Sequence, residues 1–266
     1  MIPCTYDQVG APSPRPPAKP QFTAAPPAAV AHAVLQPMPG CSHRCSACFF
    51  ARLNQEQLDL LSPYLHPRTY AAGQRLVRQG DEIDGIYFVV DGNLKATQVT
   101  LAGQQVLLHL LAPGDSFPAA GIVEGGEHPA TLQAVRATRV TYVRRSDFLR
   151  LLSQRADLAV ELIRALGSHM SRLDERLSDL SLLRLRDRVI ALLLRLSQRS
   201  GNASGRGPNE IQLTHAEIAS LVGGCRETVT RVLAEFRREG WVGLHQGGLA
   251  VLDPAALAEQ LHQEAD

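Results

Sequence analysis

A chain of 266 residues has room for about two domains, and a composition 45% hydrophobic and 20% charged is ordinary for globular proteins. No apolar run approaches the roughly 20 residues needed to span a bilayer, and the proline-rich start lacks the compact apolar core of a signal peptide, so a cytoplasmic protein with no membrane partner is expected. Nucleic-acid binding cannot be argued from a net charge of only +1, but between Arg186 and Gly240 nine Arg face six Asp or Glu.

Residues 1–40 hold ten of the seventeen prolines, interleaved with Ala, and read as a disordered extension that can neither form ladders nor bury much surface. Cys41-Ser-His-Arg-Cys45-Ser-Ala-Cys48 follows, just before the helical pattern Leu58, Leu60 and Leu61. With Cys4 and Cys225 the cysteine count is odd, and the clustering in a cytosolic protein points to metal rather than to disulfides.

From Tyr70 to Phe148 short apolar runs such as Ile86–Val90 and Val106–Leu111 alternate with turn signals: Gly80-Asp81, Asp91-Gly92-Asn93, Pro113-Gly114 and Gly125-Gly126. Turns about 8 to 12 residues apart predict an antiparallel barrel or sandwich. The stretches from Gly80 to Gly92 and from Leu111 to Phe117 resemble the double-stranded β-roll of the CRP/FNR transcription regulators. Beyond the roll, Leu158, Leu162, Leu166, Met170, Leu173, Leu177 and Leu180 step by four or three, the seam of a helix of roughly six turns. Its length favours pairing with a second copy over packing only on its own roll, and the resemblance implies a homodimer interface at Leu166, Met170, Leu173 and Leu177.

Arg186–Arg199 predicts a helix with Val189, Ile190, Leu193, Leu194 and Leu196 on its buried side, and the composition of 201–209 predicts a loop. Thr214 and Glu217 form a capping box before Ile218, Leu221 and Val222, and Gly223-Gly224 end that helix. In the next helix, at about 100° per residue, Arg226, Glu227, Thr230 and Arg231 fall in one wedge, with Val229, Val232, Leu233 and Phe236 opposite. That division suits a recognition helix in a major groove, where Arg forks onto guanine and Glu accepts from cytosine. The segment Gly223–Arg231 is similar to the recognition segment of the cyclic-AMP-receptor branch of the family. The resemblance implies double-stranded DNA with a palindromic site as one partner, a TGTGA-like half-site, and RNA polymerase as another. Trp241–Val251, with Gly247-Gly248 at its middle, reads as the wing hairpin, and a helix of unassigned role follows Pro254. Cys225 takes the cap position of the recognition helix, either as a small capping substitute or as a thiol favoured by the helix dipole.

The expected fold is therefore α+β: a disordered extension over 1–40, a cysteine cluster and cyclic-nucleotide-binding-like β-roll over 41–155, a dimerisation helix over 156–184, and a winged helix-turn-helix over 185–266. A transcription regulator, not an enzyme, is expected, with a regulator whose roll binds no effector as one alternative. The cyclic-nucleotide pocket of the family uses a Gly-Glu-aliphatic step and an Arg-Ser/Thr pair, whereas Pro118–Gly121 and Glu127–Thr131 stand here, so no cyclic nucleotide is expected. Gly126-Glu-His-Pro129 and Cys48-Phe-Phe resemble the oxygen-sensing branch, which implies a [4Fe-4S] cluster on Cys41, Cys45 and Cys48. The spacing C-x3-C-x2-C departs from that branch, and its fourth ligand position is Thr141, which leaves Cys4 as a candidate to close the site. Zinc on the same cysteines with His43, and redox-reactive thiols, stay open as alternatives. A radical S-adenosylmethionine enzyme shares the cysteine spacing but needs alternating strands and helices after Cys48. Haem on His32, His66 or His109 has no supporting spacing.

Overall fold

The computed structural model describes residues 49–101, 103–118, 121–200, 210–245 and 248–262. The extension, Cys4, His32, Cys41, His43, Cys45, Cys48 and the loop at 201–209 lie outside the described residues.

The described chain starts with Phe49 and Phe50, both buried, and a 3-10 turn at Phe50–Arg52. Helix α1 (Gln55–Leu61) begins at a capping box in which Asn54 accepts from the Gln57 amide and Gln57 accepts from the Asn54 amide. Eight antiparallel strands then form two sheets. One has the order β1 (His66–Tyr70), β8 (Thr138–Arg144), β3 (Gly85–Asp91), β6 (Ser116–Phe117); the other has the order β2 (Arg75–Val77), β7 (Thr131–Ala134), β4 (Leu94–Val99), β5 (Gln105–Leu111). Strand β3 reads Gly-Ile-Tyr-Phe-Val-Val-Asp without polar alternation because both of its faces are covered. Tyr87 and Val89 point between the sheets with Leu94, Leu132, Val140 and Tyr142, while Ile86 and Phe88 face the helices with Val143 and Phe148. At Gly92, with φ at +91°, an added Cβ would lie 2.6 Å from the Thr138 Cα, so the β3–β4 turn admits no side chain.

A four-residue helix α2 (Gly121–Glu124) sits between β6 and β7, and α3 (Arg145–Gln154) leads into α4 (Ala156–Leu182), a rod about 40 Å long. The apolar seam of α4 divides. Leu158, Leu162 and Ala165 are buried against the roll with Phe49, Phe88 and Phe148, and Leu166 packs beside them; Met170 and Leu177 stand 64% and 61% exposed. The N-terminal part of the predicted seam is thus core of its own protomer, and only the C-terminal part is available to a second copy. Ile163, absent from the predicted seam, is exposed as well.

The second unit contains α5 (Leu185–Ser200), β9 (Glu210–Ile211), α6 (His215–Val222), α7 (Arg226–Arg238), β10 (Val242–His245), β11 (Gly248–Val251) and α8 (Pro254–His262), with strand order β10-β11-β9. Val189, Ile190, Leu193, Ile218, Val229, Phe236 and Leu257 are fully buried in one core. Leu257 gives the tail helix α8 its role: it closes the core over α5, and Gln260 accepts a hydrogen bond from Arg186 at 3.3 Å.

Candidate functional site

Helix α6 starts as its sequence dictates, with the Thr214 hydroxyl accepting from the Glu217 amide while the Glu217 carboxylate accepts from the Thr214 amide. It ends at Gly223 in the left-handed conformation, φ +61°, and Arg188 donates to the last carbonyl, Val222, at 2.8 Å. Gly224 follows, where a Cβ would lie 2.5 Å from Leu185 Cδ1, so the turn packs directly on α5. These two glycines set how α7 crosses α6. Val229, Val232, Leu233 and Phe236 are buried under α7, and Arg226, Glu227, Thr230 and Arg231 are exposed on its far side. Among the described residues none hydrogen-bonds or pairs with Arg226, Glu227 or Arg231. The structure therefore brings all four side chains to one solvent face, three of them with their donors and acceptors unspent.

Thr230 differs: its Oγ1 lies 3.0 Å from Nδ1 of His215, the first residue of α6. Sequence reasoning missed His215, since only the crossing of the two helices places it beside a residue fifteen positions away. Cys225 stands at the cap position of α7; its Sγ lies 3.0 Å from Thr228 Oγ1, and the Thr228 hydroxyl and then the Thr228 amide hold the exposed thiol below its ordinary value.

On the sensory side the chain emerging from Cys48 is anchored at once. The Phe49 ring lies 5.8 Å from Phe88 and 5.8 Å from Phe148, and Phe50 lies 4.4 Å from Phe88. Two residues later Arg52 donates to Ser168 of α4 at 3.0 Å. Thr141 is paired with Phe88 across β8 and β3, is fully buried, and its hydroxyl has no partner. The position that the resemblance assigns to a fourth ligand thus holds an unsatisfied hydroxyl beside the anchor of the cysteine segment. Thr141 carries no thiol, so this position of β8 offers no fourth cysteine ligand. Among the described residues no group of three His, Cys, Asp or Glu side chains could hold a metal.

Between the sheets, Tyr87 and Tyr142 fill the roll with ring centroids 5.0 Å apart. His128 is 1% exposed and stacks on Phe117 at 5.7 Å, with neither ring nitrogen hydrogen-bonded, and burial lowers its pKa. A neutral imidazole therefore stands within the stretch where the family's phosphate-binding Arg was sought. Arg75 and Arg78 line an open concavity of about 850 Å³ together with Thr97, Glu127, His128, Thr131 and Gln133. Because Leu132 and Ala134 turn inward, Thr131 and Gln133 mark this as the outer face of the second sheet. Sequence reading had not singled out those two arginines. Of the histidines considered for haem, His66 lies on β1 and His109 on β5, where its Nδ1 is 3.1 Å from Arg176.

The cyclic nucleotide-binding domain family matches residues 67–155, and the Crp-like helix-turn-helix domain family matches residues 187–260. The Cyclic AMP receptor protein of Thermus thermophilus is 34% identical over 210 residues, covering 79% of this chain and 94% of its own. The CRP-like cAMP-activated global transcriptional regulator of Mycobacterium tuberculosis is 27% identical, covering 80% of this chain and 96% of its own. Among solved structures, TTHA1359, a CRP/FNR family transcriptional regulator from Thermus thermophilus, superposes with a TM-score of 0.60 at 26% identity, over 74% of this chain and 98% of that one. FixK2 from Bradyrhizobium japonicum shares the fold at TM-score 0.63 and 19% identity, over 73% of this chain and 96% of that one.

Proposed function

The chain belongs to the CRP/FNR family of transcription regulators, and from that premise we propose that it is a homodimer that reads a palindromic DNA site and reports oxygen or redox state to RNA polymerase through a cysteine-bound cluster. The observation that carries the DNA reading is the exposed wedge of α7 with its unspent side chains. Arg226 and Arg231 can each fork onto O6 and N7 of a guanine, and Glu227 can accept from a cytosine amine. Selection from random duplexes should return a symmetric site with TGTGA-like half-sites, and Arg226→Ala or Arg231→Ala should each relax one base pair by about 1 to 3 kcal/mol. A site unchanged by both substitutions would defeat this reading.

The sensory reading rests on Cys41, Cys45 and Cys48 lying immediately before the Phe49–Phe50 anchor, with Cys4 as the fourth thiolate. A [4Fe-4S] cluster held there would supply an oxygen-labile, redox-active group. This chain's own residues supply the transmission. Phe49 and Phe50 pin the end of the cysteine segment into the aromatic core, and Arg52 ties it to Ser168, two residues before the exposed Met170 of α4. A second reading, response to a cyclic nucleotide, is favoured by the names of the Thermus and Mycobacterium relatives. The neutral His128 and the tyrosine-filled interior weigh against it, because a phosphate between the sheets would meet His128 in place of an Arg and forfeit charge-assisted hydrogen bonds. Anaerobic purification should give protein with iron, acid-labile sulfide and visible absorbance that oxygen bleaches, and calorimetry should show no heat with cyclic AMP or cyclic GMP. Colourless protein that binds either nucleotide at micromolar concentration would reverse the assignment.

A further inference from the structure

We propose that His215 is a specificity-determining positioning residue, which fixes the hydroxyl of Thr230 so that this side chain reads only bases presenting an amino group. The inference rests on the DNA reading of α7 given above and sharpens it at one position.

A free threonine hydroxyl both donates and accepts, and so tolerates either kind of base edge in the major groove. Thr230 is not free, because Nδ1 of His215 lies 3.0 Å from its Oγ1. A neutral imidazole carries one donor and one acceptor nitrogen, so the state of the far nitrogen, Nε2, decides which role Nδ1 takes. His215 opens the first helix of the helix-turn-helix and borders a groove of about 180 Å³ shared with Thr214, Leu244 and Gly248 of the wing. In this motif the first helix crosses the phosphate backbone. A phosphate only accepts hydrogen bonds, so a neutral imidazole that meets it through Nε2 carries its proton there and leaves a lone pair on Nδ1. Thr230 then donates its proton to Nδ1, and only oxygen lone pairs face the groove. In the major groove those lone pairs can accept from adenine N6 or cytosine N4, whereas guanine and thymine present no donor there.

The experiment compares base preferences, position by position, for the wild-type dimer, His215→Ala, His215→Asn, Thr230→Val and His215→Ala with Thr230→Val, using selection from random duplexes. Thermal unfolding of each variant confirms the fold. The wild type should prefer A or C on the contacted strand at one half-site position. His215→Ala should lose that preference by roughly fivefold while the positions read by Arg226 and Arg231 stay sharp. His215→Asn, whose amide oxygen can take the same proton, should restore part of it, and the double variant should be no worse than Thr230→Val. A His215→Ala profile identical to wild type, or a loss spread evenly over all positions as a phosphate contact would give, overturns the proposal. If the wild type itself selects no symmetric site, the DNA reading has failed, and this inference falls with it.

Discussion

His109 stands where strand β5 meets Arg176 of helix α4. Arg176 lies 3.1 Å from Nδ1, the His169 ring is 6.2 Å away, and Arg172 sits 3.4 Å from His169 and 4.0 Å from the buried Asp115. Burial, then Arg176 and His169, push the His109 pKa from 6.5 down to about 4, against the weaker pull of Asp115. Burial and Arg172 lower His169 in the same direction. A histidine depressed in the folded state stays neutral there while the unfolded chain takes up a proton, so its contribution is intact above about pH 6.5 and lost as pH falls toward 4. The unfolding temperature should therefore drop more steeply across that window in the wild type than in His109→Gln, whose amide oxygen can still accept from Arg176. Parallel profiles for the two proteins would show that His109 does not drive the acid sensitivity.

At the scale of elements, α4 does two jobs along one helix. One side of it is bound into the roll by Leu158 and Leu162, and the other side presents Ile163, Met170 and Leu177 to solvent. The spacing 163, 170, 177 is heptad spacing, which is what a second copy needs. Asp174, four residues after Met170 and three before Leu177, shares that exposed side; Leu173 is only partly exposed. A like-charge pair at Asp174 would weaken the dimer, but burying Met170 and Leu177 on each protomer, at about 1.5 to 3 kcal/mol per side chain, outweighs an exposed pair. Sedimentation should show a dimer at micromolar concentration for the wild type and for Cys45→Ser with Cys48→Ser, and a monomer for Met170→Asp with Leu177→Asp. A folded, monomeric cysteine variant would mean that the cluster controls assembly rather than orientation.

At the scale of the whole molecule, the roll and the reading domain are joined by more than the two residues between α4 and α5. Leu107 of β5 is buried in the reading-domain core, its amide donates to Ser220 of α6 at 3.3 Å, and Lys95 of β4 pairs with Glu217 at 3.1 Å. Burial raises the Glu217 pKa, but the Thr214 amide and Lys95 outweigh it and hold the carboxyl below its usual value. Both partners are about a quarter exposed, so the ion pair contributes at most about 1 kcal/mol, and the buried Leu107 is the stronger tie. Asp179 of α4 also pairs with Arg195 of α5. Strand β5 thus touches α4 through His109 and the second unit through Leu107, two residues apart. A shift of α4 against the roll has a short route to α6, and through the Gly223-Gly224 turn to α7.

The features legible in the sequence were those whose physics is local. Turn glycines, the Thr214–Glu217 capping box, the 3.6-residue period of α7 and the four polar residues on its face depend on neighbours within a few positions, and they appear in the structure at those positions. The family resemblance had the same basis, in short motifs of contiguous residues. Only packing decided the rest, because it pairs residues far apart in the chain. It divided the α4 seam between roll and solvent, set Thr141 unsatisfied behind the Phe49–Phe50 anchor, left His128 neutral and unpartnered, and brought α8 into the reading-domain core. It also placed His215 against Thr230 and Leu107 against α6. An apolar stripe states that a face will be buried; which surface buries it is settled only when the elements meet.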